Sequence, residues 1–436
     1  MKGEQRSVRK AKGEVAWLRW FTQLSWLEVL CIAVVGAGVV LRFVYLARPM
    51  RFTFDEHHFV ENARNYLAGK ADWNDHPPLG KLFEAVSIRT LGDTSLAWRL
   101  PSAIFGLGSI VCAAGIAASS FASRRAALLA AAFFAADGFF FAYSRTALID
   151  GHLVFFSLAA TWAALAIRGF WGTVSAGLLV GLALGTKFTG ICALVPVTVA
   201  LATQRPPLGE SRLLARASCL FVLALGVYLV QWRVGLALSH SELGWFGGFS
   251  ETERLLEGHE RATAATHPLT SSWPTWLTPR RPITLYYREG KRGLVALTML
   301  GNPLIWWMTS ATCLASLAQI VWFGARSPIR NEGAAVGLWE ERGRALLVLL
   351  SGWAAFLAPW ILTRRDPYLY HYLPAYAFGV IGLVGYVDHS FKRHPRLGAL
   401  LVVLVVAAAA VYVPLWAGLL TTPEYFRFVL PFPSWR

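Results

Sequence analysis

The chain has 436 residues, of which 56% are hydrophobic and 15% charged, against roughly a quarter charged in an ordinary soluble domain. A net charge of +16 would suggest nucleic acid in a soluble protein, but no basic helix or nucleic-acid motif accompanies it. The apolar residues run in long blocks instead of at helical or strand periods, which excludes an ordinary soluble domain and makes lipid the solvent. Much of the positive charge is then orientation charge and contact with anionic lipid.

A bilayer core needs about 20 apolar residues per helix. A basic tail, 1–26, carries Lys2, Arg6, Arg9, Lys10, Lys12 and Arg19 ahead of a first span at 27–46. A signal peptide is the rival reading, but the block before Arg42 lacks a small-residue cleavage site. Further spans are expected at 101–122, 126–142, 149–167, 172–186, 188–203, 217–234, 303–324, 345–362, 372–388 and 398–420. They total about eleven, and they must be helices, because backbone groups in lipid find partners only within their own segment. The five cysteines (Cys31, Cys112, Cys192, Cys219 and Cys313) all lie in apolar blocks without metal spacing, so they read as packing residues.

Short loops carry the orientation signal. Arg124 and Arg125, then Arg205, Arg212 and Arg216, then Arg326, Arg330, Arg342 and Arg344, then Lys392, Arg393 and Arg396 all fall on the tail's side. The N-terminus is therefore expected in the cytoplasm and the C-terminus outside, in a plasma (inner) membrane. The fold class is an all-α polytopic helical bundle with two long outer loops. An N-terminal membrane region, 27–234, contains the first outer loop, 47–100; the second, 235–302, precedes a C-terminal four-helix region, 303–436. Both loops are expected to form amphipathic helices and turns on the outer leaflet, because Trp73, Trp98, Trp245, Trp273, Trp276, Tyr286 and Tyr287 favour that interface.

The first loop concentrates the unusual chemistry. It opens Arg51-Phe52-Thr53-Phe54-Asp55-Glu56-His57-His58 directly after a span. Acids and histidines at a membrane surface are costly if they drift into hydrocarbon, which points to a function. A solvated loop start and a zinc site remain the alternatives, although adjacent histidines rarely converge on one metal. Next, His76-Pro77-Pro78-Leu79-Gly80-Lys81 starts a helix near Pro78 with Lys81 in its first turn. His76, free N–H groups and Lys81 together resemble an anion pocket; a plain Pro-capped start is the alternative. Asp137, Arg145, Asp150, Lys187, Arg364, Arg365, Asp366 and His371 sit at span ends on the same side. For Lys187 and Arg364, taken singly, a snorkelling anchor is the simpler reading.

Phe54-Asp55-Glu56, the hexapeptide at 76–81 and Ser144-Arg145 with Leu148 and Asp150 resemble the protein O-mannosyltransferases. So do Trp273 with Trp276, Arg281-Pro282-Ile283, Tyr286-Tyr287, Gly301-Asn302-Pro303 with Trp306-Trp307, and Arg365 followed by Tyr370-His371-Tyr372. The likeness runs from about Arg42 onward. It implies a GT-C type bundle that transfers mannose from polyprenyl-phosphate mannose to Ser or Thr of an acceptor polypeptide. The second loop has no room for the β-trefoil domain of eukaryotic members, so the chain resembles the compact prokaryotic form. Relatives that move aminoarabinose onto lipid share the Asp-Glu start, which keeps a lipid or glycan acceptor open.

Under that resemblance Asp55 is assigned as base and Glu56 as a residue positioning acceptor backbone or loop, since neighbouring side chains point apart in helix or strand. Arg145 and Arg365 rank first for the donor phosphate because the guanidinium fork suits it. Lys81, His76, Asp150 and His371 complete the expected donor site. Trp273, Trp276, Tyr286 and Tyr287 are assigned to the acceptor or to loop positioning. A polyprenyl phosphate leaves as a stabilised anion, so neither metal nor other cofactor is expected. A transporter fits poorly: no inverted repeat or matched pair of broken helices is visible, and the polar residues gather in outer loops. The topology predicts that externally added thiol reagent labels a cysteine placed at Asn74 and misses one at Glu332; the reverse pattern would overturn the shared outer face.

Overall fold

The computed structural model describes residues 25–71, 75–204, 209–261, 269–326, 335–363 and 367–435. Helix α1 (Trp26–Phe43) begins at a capping box, in which Ser25 accepts from the Glu28 N–H and the Glu28 carboxylate accepts from the Ser25 N–H. The first long loop, 47–100, contains two short helices, α2 (Glu56–Leu67) and α3 (Leu79–Leu91). Then come α4 (Ser95–Phe121), α5 (Arg124–Ala135), α6 (Gly138–Tyr143), α7 (Asp150–Ala166) and α8 (Phe170–Thr186). A 3₁₀ turn (Phe188–Ala193) leads into α9 (Leu194–Ala202), followed by α10 (Glu210–Leu238).

The second loop departs from the expected all-helical form. After α11 (Gly247–Arg261) and a 3₁₀ turn (Trp273–Leu277), strands β1 (Ile283–Gly290) and β2 (Gly293–Met299) make an antiparallel hairpin. Its β-branched and aromatic residues, Ile283, Thr284, Tyr286 and Tyr287, favour a strand, and glycines at both ends allow the tight turn. The C-terminal region holds α12 (Pro303–Arg326), α13 (Ala335–Leu362), a 3₁₀ turn (Leu369–Tyr372), α14 (Leu373–Arg393) and α15 (Pro395–Trp416). A two-residue strand, β3 (Leu420–Thr421), adds to β2, and α16 (Pro423–Val429) follows.

Six of the described helices are long and apolar enough to cross a membrane: α1, α4, α10, α12, α13 and α15, with α7, α8 and 188–202 shorter and apolar. The chain is thus a multi-pass helical membrane protein. The expected count of eleven depends on those shorter helices and on broken ones. The apolar block 126–142 is split at Asp137, which ends α5 and caps α6. The block 172–203 is split at Lys187, where the chain turns extended between α8 and the 3₁₀ turn.

Small residues let helices approach where lipid offers no hydrophobic contrast. Gly177, Gly181 and Gly185 line one side of α8 against α10; a Cβ at Gly181 would lie 2.6 Å from Val227 and 2.8 Å from the Ala224 carbonyl. On the cytoplasmic side inferred from charge, two arginines make ion pairs as well as setting orientation. Arg124 pairs with Glu28 at 2.6 Å and Arg125 with Asp388 at 2.7 Å, tying α5 to α1 and α14.

Asp137 joins the two membrane regions. One carboxylate oxygen accepts from the Phe139 and Phe140 N–H groups, and the other from the Asn302 N–H at 2.8 Å and the Tyr376 hydroxyl at 2.9 Å. Asn302 in turn donates to the Ala136 and Val405 carbonyls. Gly301 must lack a side chain, because a Cβ there would meet the Trp306 ring at 2.5 Å and Asp137 at 2.9 Å. Asp137→Ala should destabilise the protein by about 2–4 kcal/mol, since it strands buried donors on two helices. Thermal unfolding in detergent checks this, and Asp137→Asn should recover part of the loss.

Candidate active site

The site forms where the start of α2 meets the N-terminus of α7 and the break after α8. Phe54 is held at φ 45°, a left-handed conformation rare for a bulky residue. Its N–H donates to the Leu285 carbonyl of β1 at 3.0 Å and its ring lies edge-on to Tyr370, 6.3 Å between centroids. This turn delivers Asp55 as the residue before α2. The Asp55 side chain does not cap the helix, and no hydrogen bond or ion pair engages its carboxylate among the described residues.

Glu56 is the opposite case. It is fully buried and accepts four hydrogen bonds: from Arg99 Nε at 2.7 Å and Nη2 at 2.8 Å, from the Thr53 N–H at 2.8 Å and from the Ala147 N–H at 2.9 Å. Arg99, which the sequence reading passed over, also donates to the Leu46, Pro49 and Arg51 carbonyls. Of the two positioning roles expected for Glu56, toward acceptor backbone or toward the loop, the geometry fits the second: its oxygens hold the loop.

Around Asp55 lie Asp150 and Lys187, paired at 2.8 Å and nearly buried, with the Lys187 ammonium 5.1 Å over the Tyr370 ring. Lys187 is therefore an interior cation in a buried pair, which overturns the snorkelling-anchor reading. Burial raises the Asp55 carboxyl above its ordinary range; His58, His57 and Lys187 pull it down, and Asp150 adds to the rise. The rings of His57 and His58 lie 3.7 Å apart, and burial and His57 push His58 toward its neutral form. Among the described residues no three His, Cys, Asp or Glu side chains converge as metal ligands.

Several expected donor ligands are committed elsewhere. Arg145 donates to the Leu41, Arg42, Val44 and Tyr45 carbonyls at the C-terminal end of α1. Helix ends leave such carbonyls unpaired, so the guanidinium caps the first span and is not presented to a phosphate. Lys81 is fully buried and donates to the His76 carbonyl at 2.7 Å, so the expected anion pocket is closed by its own backbone. The helix nevertheless starts where the prolines placed it, Gly80 packs on Ile149, and the His76 ring stacks parallel to Phe59 at 6.1 Å. His371 is buried, stacked on Trp360 at 3.7 Å, with Nδ1 accepting from the Tyr368 N–H. Trp276 is also fully buried, donating to Ser271 while its carbonyl accepts from the Trp306 indole, so it is core and not acceptor surface. Trp273 and Tyr286 are half-buried, and Tyr287 is exposed. Arg365 lies outside the described residues.

A further carboxyl went unnoticed in the sequence. Glu84 of α3 is fully buried with neither oxygen hydrogen-bonded among the described residues. Burial, then the nearby Glu56 charge, raise it well above the usual carboxylate range, with Lys81 opposing.

Two family models match this chain: "Dolichyl-phosphate-mannose-protein mannosyltransferase" over residues 75–232, and the "C-terminal four TMM region of protein-O-mannosyltransferase" over 245–435. A polyprenol-phosphate-mannose–protein mannosyltransferase of Corynebacterium glutamicum is 25% identical over 88% of both chains. Its Mycobacterium tuberculosis counterpart is 24% identical over 88% of this chain and 86% of that one. Among solved structures, the Saccharomyces cerevisiae protein O-mannosyltransferase Pmt1–Pmt2 complex bound to the sugar donor has the same fold: TM-score 0.79, 15% identity, 95% of this chain and 93% of that one covered. ArnT of Cupriavidus metallidurans bound to undecaprenyl phosphate aligns at TM-score 0.54 and 17% identity, over 91% and 75%.

The geometry makes Glu56 and Arg145 scaffold residues. Glu56→Ala leaves Arg99 buried and unpaired, and should cost about 3–5 kcal/mol. Arg145→Ala should likewise lower the unfolding temperature in detergent. Wild-type midpoints in both variants would return these residues to the ligand role.

Proposed function

The chain belongs to the protein O-mannosyltransferase family, and we propose that it transfers mannose from polyprenyl-phosphate mannose to Ser or Thr hydroxyls of polypeptides. The outer face of a plasma (inner) membrane is the proposed location, on the charge argument above. The observation that carries the chemistry is the contrast between the adjacent acids: Glu56 is saturated with hydrogen bonds, whereas the Asp55 carboxylate is left without a partner among the described residues.

Asp55 is the proposed general base. It takes the proton of the acceptor hydroxyl as that oxygen bonds to the anomeric carbon of mannose. The bond from that carbon to the phosphate oxygen breaks on the opposite face, and the lipid phosphate leaves with the electron pair, so the configuration inverts. The leaving group needs no proton, unlike the alkoxide of a glycoside hydrolase, so one base suffices. With Arg145 and Lys81 occupied, we assign the cationic contribution at the phosphate to Lys187, which is paired with Asp150, and to Arg365. The developing phosphate charge is matched by these side chains, and the proposed reaction uses no metal.

Asp55→Asn keeps size and polarity but cannot accept the proton, so turnover should fall by about 10² or more while donor binding persists. The raised Asp55 pKa places the loss of base on the acid side: kcat/KM for the wild type should decline as pH falls, beginning above the ordinary aspartate range of about 4. Near-wild-type turnover in the variant would move the base elsewhere. Radiolabelled donor with a Ser/Thr peptide, followed by alkaline β-elimination, tests the acceptor. Release of a mannose-derived alditol supports a peptide hydroxyl, and label retained in the lipid fraction assigns a lipid acceptor.

A further inference from the structure

The sheet order is β1–β2–β3, which makes β1 an edge strand. Its hydrogen-bond parity follows from the hairpin. Gly290 and Gly293 flank a two-residue turn as a hydrogen-bonded pair, so Arg288 with Val295 and Tyr286 with Leu297 are bonded pairs too. Tyr287 and Glu289 therefore turn their peptide groups to the outer edge, and Leu285, left unpaired by the bulge between Thr284 and Tyr286, turns its carbonyl there as well. Two observed bonds agree with this parity. The Leu285 carbonyl accepts from the Phe54 N–H at 3.0 Å, and on the opposite edge the Leu294 carbonyl accepts from the Thr421 hydroxyl at 3.0 Å.

The outer edge is thus closed at its Leu285 end by the residue that precedes Asp55. Beyond that point the peptide groups of Tyr287 and Glu289 have no partner among the described residues, and both residues are exposed. Open edges are ordinarily covered or blunted, because they template the pairing of another chain. Among the described residues this one is covered only next to the proposed base.

We propose that the free edge of β1 takes an extended segment of the acceptor polypeptide as an added strand and feeds its hydroxyl to Asp55. The proposal rests on the polypeptide acceptor of the proposed function. A strand advances about 3.4 Å per residue, so the residue two positions beyond the one paired with Tyr287 arrives roughly 7 Å along, at the Leu285 end. There Phe54 occupies the edge, the added strand must leave it, and Asp55 is the next residue of the enzyme. Main-chain pairing supplies affinity while asking little of the acceptor's side chains beyond the hydroxyl.

Backbone N-methylation tests this on the wild-type enzyme. A series of Ser-containing peptides, each methylated at one amide near the serine, is assayed with polyprenyl-phosphate mannose. The peptide KM should rise about tenfold for each methyl that removes an edge hydrogen bond. It should rise at alternate positions only and leave the intervening ones unchanged. A flat profile, or equal loss at every position, overturns the proposal. Glu289→Pro removes an N–H that faces the free edge and spares the ladder to β2, so it should raise the peptide KM by a similar factor with kcat held. Unchanged KM in that variant also overturns it. Absence of transfer from the wild type to the unmethylated parent peptide overturns the acceptor reading itself, and the two failures are therefore distinguishable.

Discussion

The buried pair between Glu56 and Arg99 is the interaction on which the first loop and the candidate site depend. Taking both charges out of water is costly, and the pair is favourable only because its polar atoms are used: four donors converge on the carboxylate, and the guanidinium spends its remaining groups on three carbonyls of the first loop. The result is a loop tied to one guanidinium at Leu46, Pro49, Arg51 and Glu56. Asp55 is one residue from that anchor and inherits its position, while its own carboxylate stays free for chemistry. Two neighbouring acids of similar intrinsic acidity thus come to lie in quite different surroundings.

A second constraint links the site to the membrane bundle. Asp137 interrupts an apolar block, which would be unfavourable in lipid if its oxygens were not all occupied by α6, α12 and α14. Lys187 interrupts another, and the Asp150 carboxylate and the Tyr370 ring compensate it. The break at Lys187 sets that cation and Asp150 beside Asp55, so part of the site's polar interior results from span interruption.

Much of this was legible beforehand. Apolar block lengths give the spans, the prolines give the start of α3, and the acids after the first span give Asp55. The roles of the cations were not legible. Arg145, Lys81 and Lys187 each lie at a span or helix end, and sequence spacing cannot tell a guanidinium that caps its neighbour's carbonyls from one that faces a ligand. Arg99 sits near the start of a helix whose apolar run conceals it, and its partner is 43 residues away. The hairpin was hidden by its proximity to aromatic residues that also suit the membrane interface, although alternating Ile283, Leu285 and paired glycines were its signal.

The motifs that carry the family resemblance are mostly motifs of packing. In the 76–81 hexapeptide, glycine clears Ile149 and lysine closes on its own loop; in 301–307, glycine clears Trp306 and asparagine joins two helices. Such residues identify the fold because a bundle of broken helices tolerates few alternatives at its crossings. They do not identify the chemistry. The chemical signal is the residue that the packing leaves alone, and in the first loop that residue is Asp55, held between an anchored glutamate and a strained phenylalanine whose N–H closes the edge of β1. The proposed base and the sheet edge are thereby joined through one peptide unit, so a displacement of the hairpin would reach Asp55 along the main chain without an intervening side chain.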